Sequence, residues 1–111
     1  MLKLAMSPGA SAVLRGLLDR AGVPRDRILL SHVRSVDWQS LTFVGERHEL
    51  QLRIPGPASG PLAERLCAGL EEAEFDMPGQ ILADIAIRGG GPRRQPDGSV
   101  LIDVEALTIE N

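Results

Sequence analysis

The chain has 111 residues, enough for one hydrophobic core but short for two, so we expect a single domain spanning residues 1–111. A net charge of -3 argues against a general nucleic-acid binder, because such proteins need a basic surface. The single cysteine excludes an internal disulfide, and no apolar run approaches the roughly 20 residues of a membrane helix. We therefore expect a soluble cytoplasmic protein without nucleic-acid or membrane partners.

Two segments show the three- and four-residue spacing of apolar side chains that is typical of amphipathic helices. The first is predicted over residues 8–21, where Ser7 or Ser11 can cap the amino terminus, Pro8 suits the first turn and Gly22 follows the last apolar residue. The second is predicted over residues 61–74.

Each predicted helix is followed by β-rich sequence. The predicted strands are residues 27–36, 39–44 and 48–54 after the first helix, and residues 80–88 and 99–109 after the second. The apolar positions change parity around Gly45. Either Gly45 forms a bulge in one long strand or it begins a tight turn between two short strands.

The order helix-strand-strand occurs twice, and a shift of 53 residues aligns several identical residues, which suggests an internal repeat of residues 8–54 and 61–110. This order predicts an α+β fold, a two-layer sandwich of a mostly antiparallel sheet with two helices on one face. If residues 1–6 add an edge strand, the order becomes βαββαββ and the topology approaches a ferredoxin-like one.

Residues 88–99, RGGGPRRQPDGS, combine three consecutive glycines with two arginines. A phosphate-binding loop needs a helix after its glycines, whereas the residues that follow here alternate with the period of a strand. We therefore predict a turn between two strands. Arg93 and Arg94 are candidates for contact with a phosphate or an acidic partner.

In that hairpin, one sheet face should carry the apolar side chains of Ile81, Ala83, Ile85, Ile87, Val100, Ile102, Val104 and Ala106. The other face should also contain apolar residues, namely Leu82, Leu101, Leu107 and Ile109. Such a patch needs a cover, and a second copy of the chain is the simplest one. We expect a homodimer packed through the open sheet face or an edge strand.

Asp84 should lie across from Leu101, Asp103 or Glu105 on that second face. A register that pairs Asp84 with Asp103 would hold two carboxylates roughly 5 Å apart at Cβ, suited to acid/base chemistry or a hard metal ion. The alternatives are that Arg34, Arg53 or Arg88 neutralises them, or that the register keeps them apart.

His32 and His48 are the other candidate catalytic residues. Neither has a metal-ligand spacing, and no catalytic triad motif is present. A hairpin turn near Val36 and Asp37 would bring the two histidines together in a small pocket, with Trp38 at its rim as a candidate ligand contact.

The first hypothesis for function is a homo-oligomeric interaction or ligand-binding module without a catalytic motif, cofactor or metal site. The alternative is a small acid/base enzyme of the lyase, isomerase or hydrolase type. Its pocket would lie near His32 and His48, or near Asp84 and Asp103. The acidic stretch over residues 71–76 is a candidate docking surface for a basic protein partner.

Overall fold

The computed structural model describes residues 6–111, which form an α+β fold. Its elements are α1 (Pro8–Ala21), β1 (Leu29–Gln39), β2 (Val44–Ile54), α2 (Ser59–Cys67), β3 (Gln80–Arg94) and β4 (Val100–Glu110). Short 3-10 turns occupy Arg25–Arg27 and Leu70–Glu72. The strand predicted over residues 1–6 lies outside the described residues except for Met6.

The four strands form one antiparallel sheet of order β1-β2-β4-β3. This is not a simple ferredoxin-like order, because the last strand, β4, occupies the centre between β2 and β3. The strands that flank α2 are thus parallel to each other but separated by β4. β1 and β3 are the two edge strands of the described sheet.

The first helix has the bounds that its sequence predicts. Ser7 accepts a hydrogen bond from the Ala10 N–H at 3.1 Å, and Gly22 ends the helix in the left-handed conformation with φ of 69°. The second helix is shorter than predicted and ends at Cys67. Its apolar period continues to residue 70 because Leu70, in the following 3-10 turn, is also buried.

The carboxyl ends of the two helices are capped by arginines from one another. Arg20 of α1 donates from Nε to the Leu66 carbonyl at 3.1 Å and from its terminal nitrogen to the Ala68 carbonyl. Arg65 of α2 donates to the Ala21 carbonyl at 3.3 Å. Each cation meets carbonyls that have no helical partner, at the negative end of a helix dipole.

Removing the Arg20 cap should destabilise the fold. We expect Arg20→Met to lower the free energy of unfolding by about 1–2 kcal/mol, because it leaves the partly buried Leu66 carbonyl and the exposed Ala68 carbonyl without their charged donor. The matched control is Arg15→Met on the exposed side of α1, which should change stability by less than about 0.5 kcal/mol. Urea denaturation of both variants measures the difference, and equal losses would contradict the capping role.

One hydrophobic core joins both helices to a single set of sheet residues. On the central strands these are the even-numbered positions, namely Leu50, Leu52, Ile54, Val100, Ile102, Val104 and Ala106. We call the side of the sheet that carries them the core face. Ile85 and Ile87 of β3 belong to it as predicted.

The prediction was wrong for the start of β3. A bulge between Leu82 and Asp84 adds Ala83 as an extra residue, so the side-chain alternation changes there. Leu82 consequently packs against the core, whereas Ile81 is 48% exposed on the other face and Ala83 is exposed.

The first hairpin turns at Ser40–Phe43, further along the chain than the expected turn near Val36 and Asp37. The Ser40 N–H donates to the Phe43 carbonyl at 2.9 Å, and the Ser40 hydroxyl accepts from the Phe43 N–H at 3.0 Å. Gly45 lies inside β2, opposite Trp38 and Ile109, so it is neither a bulge nor the turn.

The glycines at 89–91 form a bulge inside β3 and are not part of the turn itself. Pairing with β4 is interrupted between Arg88 and Arg93, and all three glycines have positive φ. The reversal is made by Gln95–Ser99, where the Gln95 N–H donates to the Ser99 carbonyl at 2.8 Å. The hairpin between two strands is therefore confirmed, with a shorter turn than expected.

The predicted repeat stays a prediction. The order β1-β2-β4-β3 reads the same when the two helix-strand-strand units are exchanged, and both edge strands carry a bulge near their start. Two glycines aligned by the repeat have different roles, however. Gly16 lies beneath the Phe75 ring, where a Cβ would be 2.4 Å from Cδ2, and Gly69 has φ of 67° after α2.

Candidate functional site

The side of the sheet turned away from the core has a mixed surface, which we call the opposite face. Its residues follow from the register of the three strand pairs: Leu29, His32, Arg34, Val36 and Trp38 on β1, Gly45, Arg47, Glu49, Gln51 and Arg53 on β2, Leu101, Asp103, Glu105, Leu107 and Ile109 on β4, and Ile81, Asp84, Ala86, Arg88 and Arg93 on β3.

The register does not bring together the carboxylates of Asp84 and Asp103. Asp84 pairs with Leu107, and Arg88 takes the position opposite Asp103. The cause is the position of the turn at Gln95–Ser99: even without the bulge at Ala83, the register at the start of β3 would set Asp84 opposite Ala106.

A different carboxylate pair was missed by the sequence analysis. Glu49 lies directly opposite Glu105, on the two central strands. The alternation of residues 48–54 places Glu49 on the polar side of its strand, but only the adjacency of β2 and β4 puts it beside Glu105. No local pattern in the sequence reports that adjacency.

Arginines neutralise the carboxylates of β4. Glu105 accepts hydrogen bonds from Arg88 at 3.1 Å and from Arg47 at 3.0 Å, and Asp103 accepts from Arg93 at 2.5 Å and Gln51 at 3.0 Å. We call Arg47, Arg88, Arg93, Asp103 and Glu105 the charged ladder. The partners differ from those expected: Arg93 pairs with Asp103, and Arg88 pairs with Glu105.

The charged ladder holds both acids in their ionised form. The Arg88 hydrogen bond lowers the pKa of Glu105 by more than partial burial raises it, and the Arg47 hydrogen bond lowers the pKa further. Partial burial disfavours the charge on Asp103, but the hydrogen bonds from Arg93 and Gln51 overcome it and lower the pKa. Neither carboxyl is therefore suited to donate a proton near neutral pH.

A shallow depression of about 270 Å³ lies in the middle of the opposite face. Its polar lining is His32, Glu49, Gln51, Arg88, Asp103 and Glu105. The depression therefore contains His32, from the predicted histidine pair, and Asp103, from the predicted aspartate pair. Among residues 6–111, no group of three or more His, Cys, Asp or Glu side chains is arranged to hold a metal ion.

His48 lies on the core face, so the two histidines are on opposite sides of the sheet and share no pocket. It is 0% exposed. The Ser35 hydroxyl lies 2.7 Å from Nδ1, and the Thr108 hydroxyl lies 2.8 Å from Nε2. Burial lowers the pKa of His48, and the nearby Glu46 carboxylate opposes that shift.

One end of the opposite face is apolar. Val36 and Leu107 lie in one row across the sheet, and Trp38, Ile109 and Ile81 lie in the next. We call these five residues the apolar end. Val36 is 46% exposed and Ile81 48% exposed, and the other three side chains are partly buried. Trp38 lies opposite Gly45, which has no side chain.

The apolar end continues into the hairpin turn. Leu41 is fully exposed at the tip, and the neighbouring Phe43 and Val44 are each 49% exposed. The exposed large apolar side chains are thus concentrated at the end of the molecule formed by the β1–β2 hairpin and the start of β3, with Leu29 and Met6 as the exceptions in the described chain.

The remaining candidates are dispersed. Arg93 belongs to the charged ladder, whereas Arg94 lines a separate hollow with Arg53, Ser59 and Asp97. The acidic residues of 71–76 lie in and after the 3-10 turn and not at the end of α2, and their carboxylates are exposed.

No protein-family model matches the sequence, and no curated protein matches it. A chain in the solved structure titled "Virion of native gene transfer agent (GTA) particle" is similar in fold, with 19% sequence identity and a TM-score of 0.49. The match covers 93% of this chain and 88% of that chain. Within residues 6–111, no helix is long and apolar enough to cross a membrane. Function has to be inferred from the geometry of the described residues.

Proposed function

We propose that the chain is a non-catalytic interaction module that associates with a second copy of itself. The observation that carries this proposal is the concentration of exposed apolar side chains at one end of the sheet. Large apolar groups that are scattered singly are ordinary on a protein surface, but a contiguous group is typical of an interface.

The proposal includes a two-layer arrangement, in which both helices cover the core face and leave the opposite face bare. The single hydrophobic core that contains residues of α1, α2 and the even-numbered positions of β2 and β4 supports it. An uncovered sheet face with an apolar end gains stability from a partner, because association removes that apolar surface from water.

The charged ladder supports a non-catalytic role. Its two carboxylates have lowered pKa values and accept hydrogen bonds from Arg47, Arg88, Arg93 and Gln51. An acid/base pair in an enzyme needs the reverse, with two groups whose environments move their pKa values apart.

The mass in solution tests the proposal. We expect sedimentation velocity to give about twice the chain mass of 11.9 kDa at micromolar concentration. Arg15→Met and Glu64→Gln serve as controls and should leave the mass unchanged, because both side chains are exposed on helices and not on the sheet. A monomeric mass up to about 100 µM would contradict self-association.

A further inference from the structure

We infer that the second copy binds along the edge of β1, which no strand of residues 6–111 covers, in an antiparallel pairing centred on Val36 that joins two four-stranded sheets into one. This inference rests on the proposed self-association and names its contact. Edge strands carry unpaired backbone N–H and C=O groups and are the natural templates for such pairing.

The two edges of the sheet differ in their fitness for pairing. β3 is interrupted twice, by the bulge at Ala83 and by the break between Arg88 and Arg93, and Pro92 within that break has no N–H. β1 has one bulge between Leu30 and His32 and then runs without interruption to Gln39. Interrupted edges resist pairing, so β1 is the edge that can accept a strand.

Symmetry limits the registers that β1 can adopt with its own copy. The two-fold axis is perpendicular to the sheet, so both core faces stay on one side and each residue pairs with one of the same face. If the two-fold axis passes at Arg34, the guanidinium groups of the two copies lie opposite each other. If it passes at Asp37, two carboxylates lie opposite each other. Like charges directly opposite one another destabilise a sheet, which excludes both registers.

The register with the two-fold axis at Val36 places compatible side chains opposite one another. It sets Val36 beside Val36 of the second copy and Arg34 beside Trp38 of the second copy, an apolar pair flanked by two cation–π pairs. A centre at Ser35 would instead place Val33 against a carboxylate. The Val36 register also covers a side chain that is 46% exposed and links the two apolar ends across the new sheet.

A cross-linking experiment tests the register. In a Cys67→Ala background, which removes the single native thiol, Val36→Cys should form a disulfide-linked dimer under mild oxidation because the two positions face each other across the axis. The matched control is Arg34→Cys, whose two copies would be roughly 13 Å apart along the paired strands and beyond the reach of a disulfide. Cross-linking of Arg34→Cys but not Val36→Cys would overturn the register.

A second pair of variants tests whether the two copies meet along the β1 edge or through the opposite face of the sheet. Val36→Lys should weaken the dimer at least tenfold, because it places two ammonium groups opposite each other, whereas Ile81→Lys on the other edge strand should change the dissociation constant less than twofold. The two side chains are equally exposed, so each variant should fold.

An equal loss in both variants, with no disulfide at Val36, would assign the contact to the opposite face. Self-association would then stand and the β1 inference would fail. A monomeric wild type would refute both.

Discussion

Substituting Gly45 by alanine should cost more stability than any other single methyl group added to the sheet. A Cβ at this position would lie 1.9 Å from the Thr108 carbonyl oxygen and 3.0 Å from the Ile109 Cα. Both atoms are backbone of β4, the central strand beside β2, so no side-chain rotation can relieve the clash. We expect Gly45→Ala to lower the free energy of unfolding by about 3 kcal/mol or more, at the upper end of the range for overpacking.

Gly60→Ala is the matched control for this prediction. Gly60 lies in α2, and a Cβ there would meet only the end of the flexible Arg94 side chain at 3.5 Å. Because alanine is the better helix former, this variant should be neutral or more stable by about 0.5–1 kcal/mol. Chemical denaturation of both variants measures the difference. A loss of less than about 1 kcal/mol for Gly45→Ala would show that β2 and β4 can separate here at little cost.

The sequence predicts the helices and the central strands better than the edges. Periodicity and capping residues define α1, and the alternation of residues 99–109 defines the core face of β4, because each pattern reflects which side chains leave water. The Ala83 bulge has no such signal. Its neighbours Ile81 and Leu82 are both apolar, so either parity satisfies the pattern, and only the pairing with β4 decides between them.

The site depended on long-range pairing and was therefore less predictable. The pairing of Asp84 with Asp103 was judged from strand parity, which assigns a face but not a neighbour. The approach of His32 to His48 was judged from a turn near Val36 and Asp37, whereas the chain turns at Ser40–Phe43. The structure places Arg88 opposite Asp103 and sets the two histidines on different faces. The apolar end was anticipated in part through Leu107 and Ile109, whereas the contribution of Trp38 requires the adjacency of β1, β2 and β4.

The buried His48 should make stability depend on pH, with a loss that begins as the pH falls through the ordinary histidine value of about 6.5. In the folded chain its pKa is lowered by burial, and in the unfolded chain it returns to about 6.5. Below that value the unfolded chain binds a proton that the folded chain resists, so the free energy of unfolding falls with falling pH. The slope for one proton is at most about 1.4 kcal/mol per pH unit. The contribution is complete above pH 6.5.

The groups around His48 explain why stability falls as the pH falls. Two hydroxyls, from Ser35 on β1 and Thr108 on β4, satisfy the ring, and the start of α1 closes over it at Gly9, whose Cβ would lie 3.1 Å from Nε2. The positive end of the helix dipole disfavours an imidazolium there. Glu46, the one carboxylate that raises the pKa, reduces the effect without reversing it.

His48→Gln separates this titration from the other ionisable groups. The variant should lose about 1–3 kcal/mol at pH 7.5, because the hydroxyls of Ser35 and Thr108 lose a well-placed partner, and its stability should be flat between pH 7.5 and 5. The carboxyls with lowered pKa, Asp97, Asp103 and Glu105, lose their contributions only at more acidic pH. A slope that survives in His48→Gln would mean that another group titrates in this range and that the buried ring is not its source.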